Sequence, residues 1–149
     1  MGKVTATSLP HSSLLFQQPA GVHGDDFVDC YAKPSSRPLE EAAARAFKFP
    51  AWVSALMRLR NLLVAPFGLN TEITSPNRVG IFPLVTRSED ELILGIDDSH
   101  LDFRISVLRQ DGMLYFATWV RTKNRFGRFY LRLIMPFHVL IVRNALSRA

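Results

Sequence analysis

The residue best suited to acid–base chemistry is His138, which follows Pro136-Phe137 in the last apolar stretch of the chain. An imidazole exchanges a proton near neutral pH, so His138 could act as acid or base beside a bound molecule. Tyr130 and Asp29 are the partners that we consider for such a proton transfer. No nucleophile stands at a matched spacing, which favours a structural histidine bonded to a backbone carbonyl. We therefore predict no catalytic residue, and His138 is the first to test if there is one.

A second set of residues has the composition of a binding pocket. Pockets are mostly apolar, with a few polar groups that fix the orientation of the ligand. Thr118, Tyr130 and His138 would supply those polar groups. The alternative is that the same side chains fill a core at normal packing density. The complete predicted lining is Leu94, Phe103, Ile105, Phe116, Thr118, Tyr130, Phe137 and His138.

Other polar clusters favour simpler explanations. His100, Asp102 and Arg104 alternate along one predicted strand, so they share a face, and we interpret them as surface pairs. Asp97 and Asp98 stand beside a predicted tight turn, where aspartate is a common turn residue. Nucleotide-binding, nucleophile-elbow and zinc-protease motifs do not occur in the sequence, and its four histidines are scattered. We predict no cofactor and no metal.

The charge of the chain is uneven. The net charge is +5, and residues 100–149 carry nine basic and two acidic residues. Such asymmetry is compatible with a nucleic-acid or anionic membrane surface, but a solvated face is the more common explanation. Residues 125–129 resemble an RNA-binding motif only superficially, because the order of residues is wrong. Nucleic-acid binding is therefore not predicted.

Compartment and membrane topology are predicted from two further features. Cys30 is the single cysteine, which excludes an internal disulfide framework and suits a reducing compartment. A bilayer span needs about 20 predominantly apolar residues. The run 133–142 is half that length and contains Pro136 and His138. We predict a cytoplasmic protein without a membrane span.

Positioning these residues requires an ordered series of elements. Residues 1–24 are rich in Ser, Thr, Pro, Gly and Gln, and we predict a loosely ordered arm with a short strand at 14–17. Residues 25–149 form the predicted single domain. Its predicted elements are a strand at 26–32, helices at 39–48 and 50–65, strands at 78–86, 91–96, 100–109 and 113–122, and a helix at 125–149.

The sequence predicts the register of the last hairpin. Asp111-Gly112 is a strong two-residue turn signal, so Gln110 should face Met113. Counting outward places one apolar row on the core side: Leu101, Phe103, Ile105, Val107, Leu114, Phe116, Thr118 and Val120. A turn at Asp98-Ser99 should add the preceding strand to that face. On the opposite face Leu108, Tyr115 and Trp119 would form an exposed apolar patch, suited to a homodimer or another partner.

The last helix is apolar on two faces, as its three- and four-residue spacings show. Such a helix needs cover on most sides, and a curved sheet is the natural cover. The predicted fold class is α+β: a curved antiparallel sheet, two short helices after the first strand, and a long C-terminal helix packed on the sheet.

This order resembles the helix-grip fold of the START and Bet v 1-like (SRPBCC) superfamily, which includes polyketide cyclases and lipid-transfer domains. The chain is more similar still to a bacterial family of unknown function, DUF2867, over about residues 26–149. The resemblance rests on segments WVSALMRLRNLLV (52–64), LGIDDSHLDFR (94–104), NRFGRFY (124–130) and PFHVLIVR (136–143). Similar domains also follow nucleotide-binding, dehydrogenase-like domains, but this chain has no Gly-rich fingerprint. The resemblance implies the fold and leaves the function open.

The prediction for function is a module that binds a small apolar or amphipathic molecule between the sheet and the C-terminal helix. One alternative is a polyketide cyclase or aromatase-like enzyme that uses His138. A second is a protein–protein interaction domain that uses the Trp119 face.

Overall fold

The predicted fold class is confirmed by the computed structural model, which describes residues 2–18, 21–64, 66, 77–80 and 82–149. Across this part of the chain, seven antiparallel strands form one curved, open sheet in the order β1-β2-β7-β6-β5-β4-β3. The elements are β1 (Thr5–Ala6), a 3₁₀ helix (Leu14–Gln17), β2 (Phe27–Pro34), α1 (Leu39–Ala46), α2 (Ala51–Val64), β3 (Arg78–Val79), β4 (Phe82–Arg87), β5 (Glu91–Asp97), β6 (Leu101–Gln110), β7 (Met113–Thr122) and α3 (Arg125–Arg148).

The hairpin between β6 and β7 has the predicted register. Gln110 pairs with Met113, and Val107 pairs with Phe116 further along the ladder. Asp111 and Gly112 have φ angles of 53° and 75°. Two successive positive φ angles match the twist of a hairpin, and aspartate and glycine tolerate them better than most residues. The turn chemistry therefore fixes which side chains face the core.

The predicted turn between β5 and β6 is wrong by one residue. Asp97 pairs with Asp102, so the loop is centred on Ser99-His100 rather than Asp98-Ser99. Asp98 lies at the end of the ladder, where its N–H donates to the carbonyl of Leu101 at 2.9 Å and its Oδ1 accepts from the Ser99 N–H. The register moves by two residues, so each side chain keeps its predicted face.

The edge of the sheet carries the irregularity that Pro83 predicts. Proline has no N–H for the ladder and is confined to edges and bulges. The predicted strand 78–86 is divided into β3 and β4, and Pro83 pairs with Arg78 of the short outer strand. The register with β5 shifts between Leu84 and Thr86, as in a β-bulge.

One side of the sheet, called here the helix side, packs against α1 and α3. Glu40 and Glu41 lie in the first turn of α1, where negative charge favours the helix dipole, and Arg45 lies in its last turn. The buried core on this side consists of Tyr31, Leu39, Ala42, Ala43, Ala46, Phe47, Leu92, Leu94, Val107, Leu114, Phe116, Ala145, Leu146 and Ala149.

The other side of the sheet, called here the arm side, is covered by the N-terminal segment of the same chain. Leu9 and Leu15 pack against Trp119 and Leu108 in a second buried cluster. Trp119 is 1% exposed, so the prediction that Leu108, Tyr115 and Trp119 form an exposed partner face is wrong. This face is buried because the segment before residue 25 packs its apolar side chains against it.

The N-terminal segment is not a loose arm, and the predicted strand at 14–17 is a 3₁₀ helix. Its anchor is the buried carboxylate of Glu91. Ser13 and Ser106 each donate a hydroxyl hydrogen bond of 2.5 Å to Glu91 Oε1. The N–H of Leu14 donates to Oε2 at 2.7 Å. A buried carboxylate is stable in a fold only when such donors surround it.

Among the described residues, the C-terminal helix has cover on fewer sides than predicted. Asn124 caps its N-terminus by accepting a bond from the Gly127 N–H at 2.8 Å. Gly127, Ala145 and Leu146 are buried, but large apolar residues on the outer face remain exposed. The helix contacts α1, β2 and β7. The spacing of apolar residues shows that two faces of α3 are apolar, but it does not show which of them packs against the rest of the protein.

By length and composition alone, α3 could also cross a membrane, although core helices of soluble proteins pass the same test. The apolar run counted in the sequence is shorter than the helix, because arginines interrupt it. The absence of a membrane span therefore stays a prediction.

Candidate functional site

A row of side chains crosses the helix side of the sheet and ends at a titratable pair. Leu94 pairs with Ile105, Ile105 with Thr118, and Thr118 with Asp29 across β5, β6, β7 and β2. Directly paired residues of an antiparallel sheet project to the same side. His138 of α3 meets the end of the row, and its Nε2 lies 3.0 Å from Asp29 Oδ2. Leu94, Ile105 and Thr118, three residues of the predicted pocket lining, thus form a row that ends beside His138.

The Asp29–His138 pair is mostly buried, but part of each side chain is accessible to solvent. Each of the two side chains is 17% exposed. The ring of Phe27 stands edge-on to the imidazole, with centroids 6.1 Å apart. A carboxylate that bonds one ring nitrogen fixes the orientation and tautomer of the imidazole. The pair can therefore hold a proton at a defined position.

One oxygen of Asp29 has no hydrogen-bond partner among the described residues. This atom, Oδ1, is buried. A buried polar atom that lacks a partner costs about 1–3 kcal/mol, and native folds rarely keep one without a reason. Burial, followed by the negative charge of Asp29, raises the pKa of Cys30 to about 12. The same two causes raise the pKa of Tyr31. Both pKa values rise chiefly because this part of the sheet is shielded from water, which disfavours the charged forms.

The aromatic residues that β6 and β7 contribute to the predicted pocket lining pack wholly or partly in the core. Phe116 is 3% exposed and its ring stacks on Phe47 with centroids 5.9 Å apart. Phe103 is half-buried and stands edge-on to Phe82 at 5.8 Å. Leu94 is fully buried. Ile105 of the row and its neighbour Phe103 therefore offer partly open apolar surface, whereas Leu94 and Phe116 are buried.

The other two α3 residues of the predicted lining are directed elsewhere. The Tyr130 hydroxyl accepts a hydrogen bond of 2.7 Å from Arg60 Nε of α2, and the guanidinium lies 5.6 Å from the ring centroid. Phe137 is 48% exposed, on the outer face of the helix. The structure thus brings Asp29 rather than Tyr130 to His138. Helix periodicity separates Phe137 from His138 by 100°, which explains its position.

The strand cluster of His100, Asp102 and Arg104 has a different partner for each side chain. Asp102 pairs with Lys123 at 2.8 Å, and Arg104 pairs with Asp97 at 2.7 Å. The Nδ1 of His100 lies 2.8 Å from the side-chain nitrogen of Asn124. The contacts of Asp102 and Arg104 are structural ion pairs, and His100 lies in the turn before β6, beside the residue that caps α3.

The sequence missed an open cavity of about 530 Å³ between α1 and the edge strands. Its apolar floor includes Phe47, Leu84 and Leu92, and Lys48 and Arg87 stand among the charged lining residues. The lining comes from α1, β3, β4, β5 and the segments that follow α1 and β3, so no local pattern indicates the cavity. Among the described residues, no group of three His, Cys, Asp or Glu side chains is placed to hold a metal ion.

Comparison with known proteins identifies a family and no neighbours. The model of one family, described as protein of unknown function (DUF2867), matches residues 22–145. No curated protein and no solved structure matches the chain.

Proposed function

The chain belongs to the DUF2867 family of proteins of unknown function, and from its own residues we propose that it binds a small amphipathic molecule between the sheet and α3. The observation that carries this proposal is the sheltered Asp29–His138 pair at the end of an apolar row. Apolar surface with one polar anchor is the usual composition of a small-molecule site. We further propose that the family belongs to the START/Bet v 1-like superfamily, whose helix-grip order of elements this chain shares.

The polar group of the ligand is a hydrogen-bond donor, such as a hydroxyl. Asp29 Oδ1 is buried without a partner among the described residues, and it can only accept. A ligand hydroxyl would reach Asp29 Oδ1 after a small movement of the Asp29 side chain. Its hydrogen bond would then offset the free-energy cost of burying this oxygen. The apolar body of the ligand would then lie along Ile105 and Phe103, both of which are half-buried. His138 would hold Asp29 in the receiving orientation.

Native mass spectrometry of the purified protein, compared with its denatured mass, tests the proposal. A reproducible extra mass that is released on denaturation, and that belongs to a hydroxyl-bearing apolar molecule, supports it. An empty protein, both as purified and after incubation with a lipid extract, counts against it.

An enzyme of the polyketide cyclase or aromatase type is the second candidate, because the same pair is also suited to proton transfer. A carboxylate that orients an imidazole is a recurring arrangement for a general base. Under this alternative His138 would take the proton and Asp29 would stabilise the imidazolium. Replacing His138 by alanine should then abolish turnover while the free energy of unfolding changes by no more than about 2 kcal/mol.

Location in the cytoplasm remains part of the proposal. The single cysteine is buried and unpaired, as suits a reducing compartment.

A further inference from the structure

The exposed apolar residues of this protein are concentrated on two helices. Of the eleven large hydrophobic residues that are exposed in the described part of the chain, eight lie on α2 or α3. On α3 they form one line along the outer face, called here the outer stripe. Its members are Phe129, Leu133, Phe137 and Leu140, which are 64%, 60%, 48% and 61% exposed. Soluble domains seldom leave such a patch without a partner.

Arginines border the outer stripe on one side. Arg125 stands four residues before Phe129, and Arg132 stands three residues after it, so both are its neighbours on the helix surface. Arg143 has the same relation to Leu140. All three arginines are exposed. Neither α2 nor α3 contains an aspartate or a glutamate. The residues of these two helices therefore combine apolar side chains with positive charge and contribute no negative charge.

This charge pattern distinguishes between two partners for the outer stripe, a second copy of the chain and a lipid bilayer. In a two-fold contact between copies of the chain, the same arginine-bordered stripe would face itself, and neither helix has a carboxylate to pair with the arginines. An anionic phospholipid bilayer satisfies both components, because its headgroups attract arginine and its acyl region receives apolar side chains. We propose that the outer stripe of α3 docks this domain on the surface of an anionic membrane.

In this arrangement α3 lies along the membrane surface and does not cross it. Its inner face is part of the fold: Gly127, Ala145 and Leu146 are buried, and His138 is bonded to Asp29 of the sheet. A spanning helix would lose these contacts and would place five arginines in or beside the bilayer.

The second helix contacts α3 through one pair of side chains and carries exposed apolar residues of its own. Arg60 of α2 donates its 2.7 Å hydrogen bond to Tyr130 of α3, which joins the two helices. Trp52 of α2 is 43% exposed and Leu62 is 73% exposed. Tryptophan is enriched at the interface between water and lipid.

Flotation with lipid vesicles tests the proposal. The full chain is mixed at low salt with vesicles of equal parts phosphatidylglycerol and phosphatidylcholine, and separately with vesicles of phosphatidylcholine alone. We expect flotation with the first and much weaker flotation with the second. Replacing Leu133 and Leu140 together by serine should weaken binding about tenfold or more, because both apolar anchors are lost. Replacing Arg125 and Arg132 by glutamine should weaken it about fivefold per arginine, and only with the anionic vesicles.

The control is Val85→Ser, which removes an apolar side chain that is 49% exposed and belongs to β4 rather than to either helix. Its flotation should equal that of the unchanged protein. Thermal unfolding verifies that all variants are folded, as the exposure of the altered side chains leads us to expect. The proposal is overturned if the unchanged protein does not float with anionic vesicles, or if the leucine variant floats as well as the control. It is also overturned if light scattering shows a dimer that the leucine variant converts to monomers, since the stripe would then bind a second copy.

Discussion

Replacing Asp26 by asparagine should destabilise the fold by about 2 kcal/mol at neutral pH. Asp26 immediately precedes β2, and its side chain is 5% exposed. Arg121 donates through Nε to Oδ1 at 3.0 Å and through Nη2 to Oδ2 at 2.8 Å. Trp119 Nε1 donates to Oδ2 at 2.9 Å. This one carboxylate thus connects the start of β2 to two side chains of β7.

The magnitude follows from the pKa of Asp26. The hydrogen bond from Arg121 is the largest cause that lowers it from 3.8 to about 2, and burial opposes the change. The backbone N–H of His23 and the indole of Trp119 lower the pKa further. A carboxyl whose pKa is lowered by folding stabilises the folded state above its unfolded pKa, and the effect is lost as pH falls through the folded value. A difference of nearly two pH units corresponds to about 2 kcal/mol, of which roughly half should remain at pH 3.

Urea unfolding at pH 7 and at pH 3 provides the assay, with Asp25→Asn as the matched control. Asp25 is the preceding residue and is exposed, so the control removes the same charge without the same partners. We expect the free energy of unfolding of Asp26→Asn to fall below that of the control at pH 7, with a smaller gap at pH 3. Equal losses in the two variants, or a gap that does not change with pH, would refute this reasoning.

Three further outcomes follow from buried groups. Cys30 should react with iodoacetamide at pH 8 at least about a hundredfold more slowly in the folded than in the urea-unfolded protein, because burial raises its pKa to about 12. Glu91→Ala should cost about 3 kcal/mol, since two hydroxyls and a backbone N–H lose their acceptor, and limited proteolysis should then cut the N-terminal segment faster. An unchanged cleavage rate would contradict the role of Glu91. Gly127→Ala should lower the melting temperature, because a Cβ there would lie 2.2 Å from the carbonyl oxygen of His100. An increase would mean that helix propensity outweighs the clash.

The fold was predictable where short-range chemistry determines it. Asp111-Gly112 fixed the register of β6 with β7, and Pro83 marked the irregular edge strand. The neighbouring turn was misplaced, because Asp98 continues the ladder for one more residue instead of entering the loop. Such a difference depends on a few hydrogen bonds, and the pattern of apolar residues is the same in both registers.

The packing of the N-terminal segment was not predictable, because its anchor is a long-range contact. Ser13 and Glu91 are 78 residues apart, and a buried glutamate at the start of an apolar strand looks like a surface charge in the sequence. Because the contact with Glu91 is not visible in the sequence, the N-terminal segment was predicted to be a loose arm. The sheet face that this segment covers was consequently predicted to be exposed, although Trp119 is almost completely buried.

The candidate site was predictable in part. His138 and Asp29 are 109 residues apart, and both were among the residues considered for proton transfer. The spacing of apolar residues places Ile105 and Thr118 on one face of the sheet. It does not show that Phe137 faces outward, since α3 is apolar on two faces and only tertiary contacts select the inner one.

Occupancy of the proposed site by a small molecule can be located by comparing two variants in native mass spectrometry. Asp29→Asn replaces one of the two acceptor oxygens at the end of the apolar row by an NH₂ donor, and Ala44→Phe narrows the separate cavity between α1 and the edge strands. If the ligand is held at the Asp29–His138 pair, the mass bound to the unchanged protein should be lost from Asp29→Asn and retained by Ala44→Phe. Loss of that mass only from Ala44→Phe would contradict the proposed site and place the ligand in the other cavity.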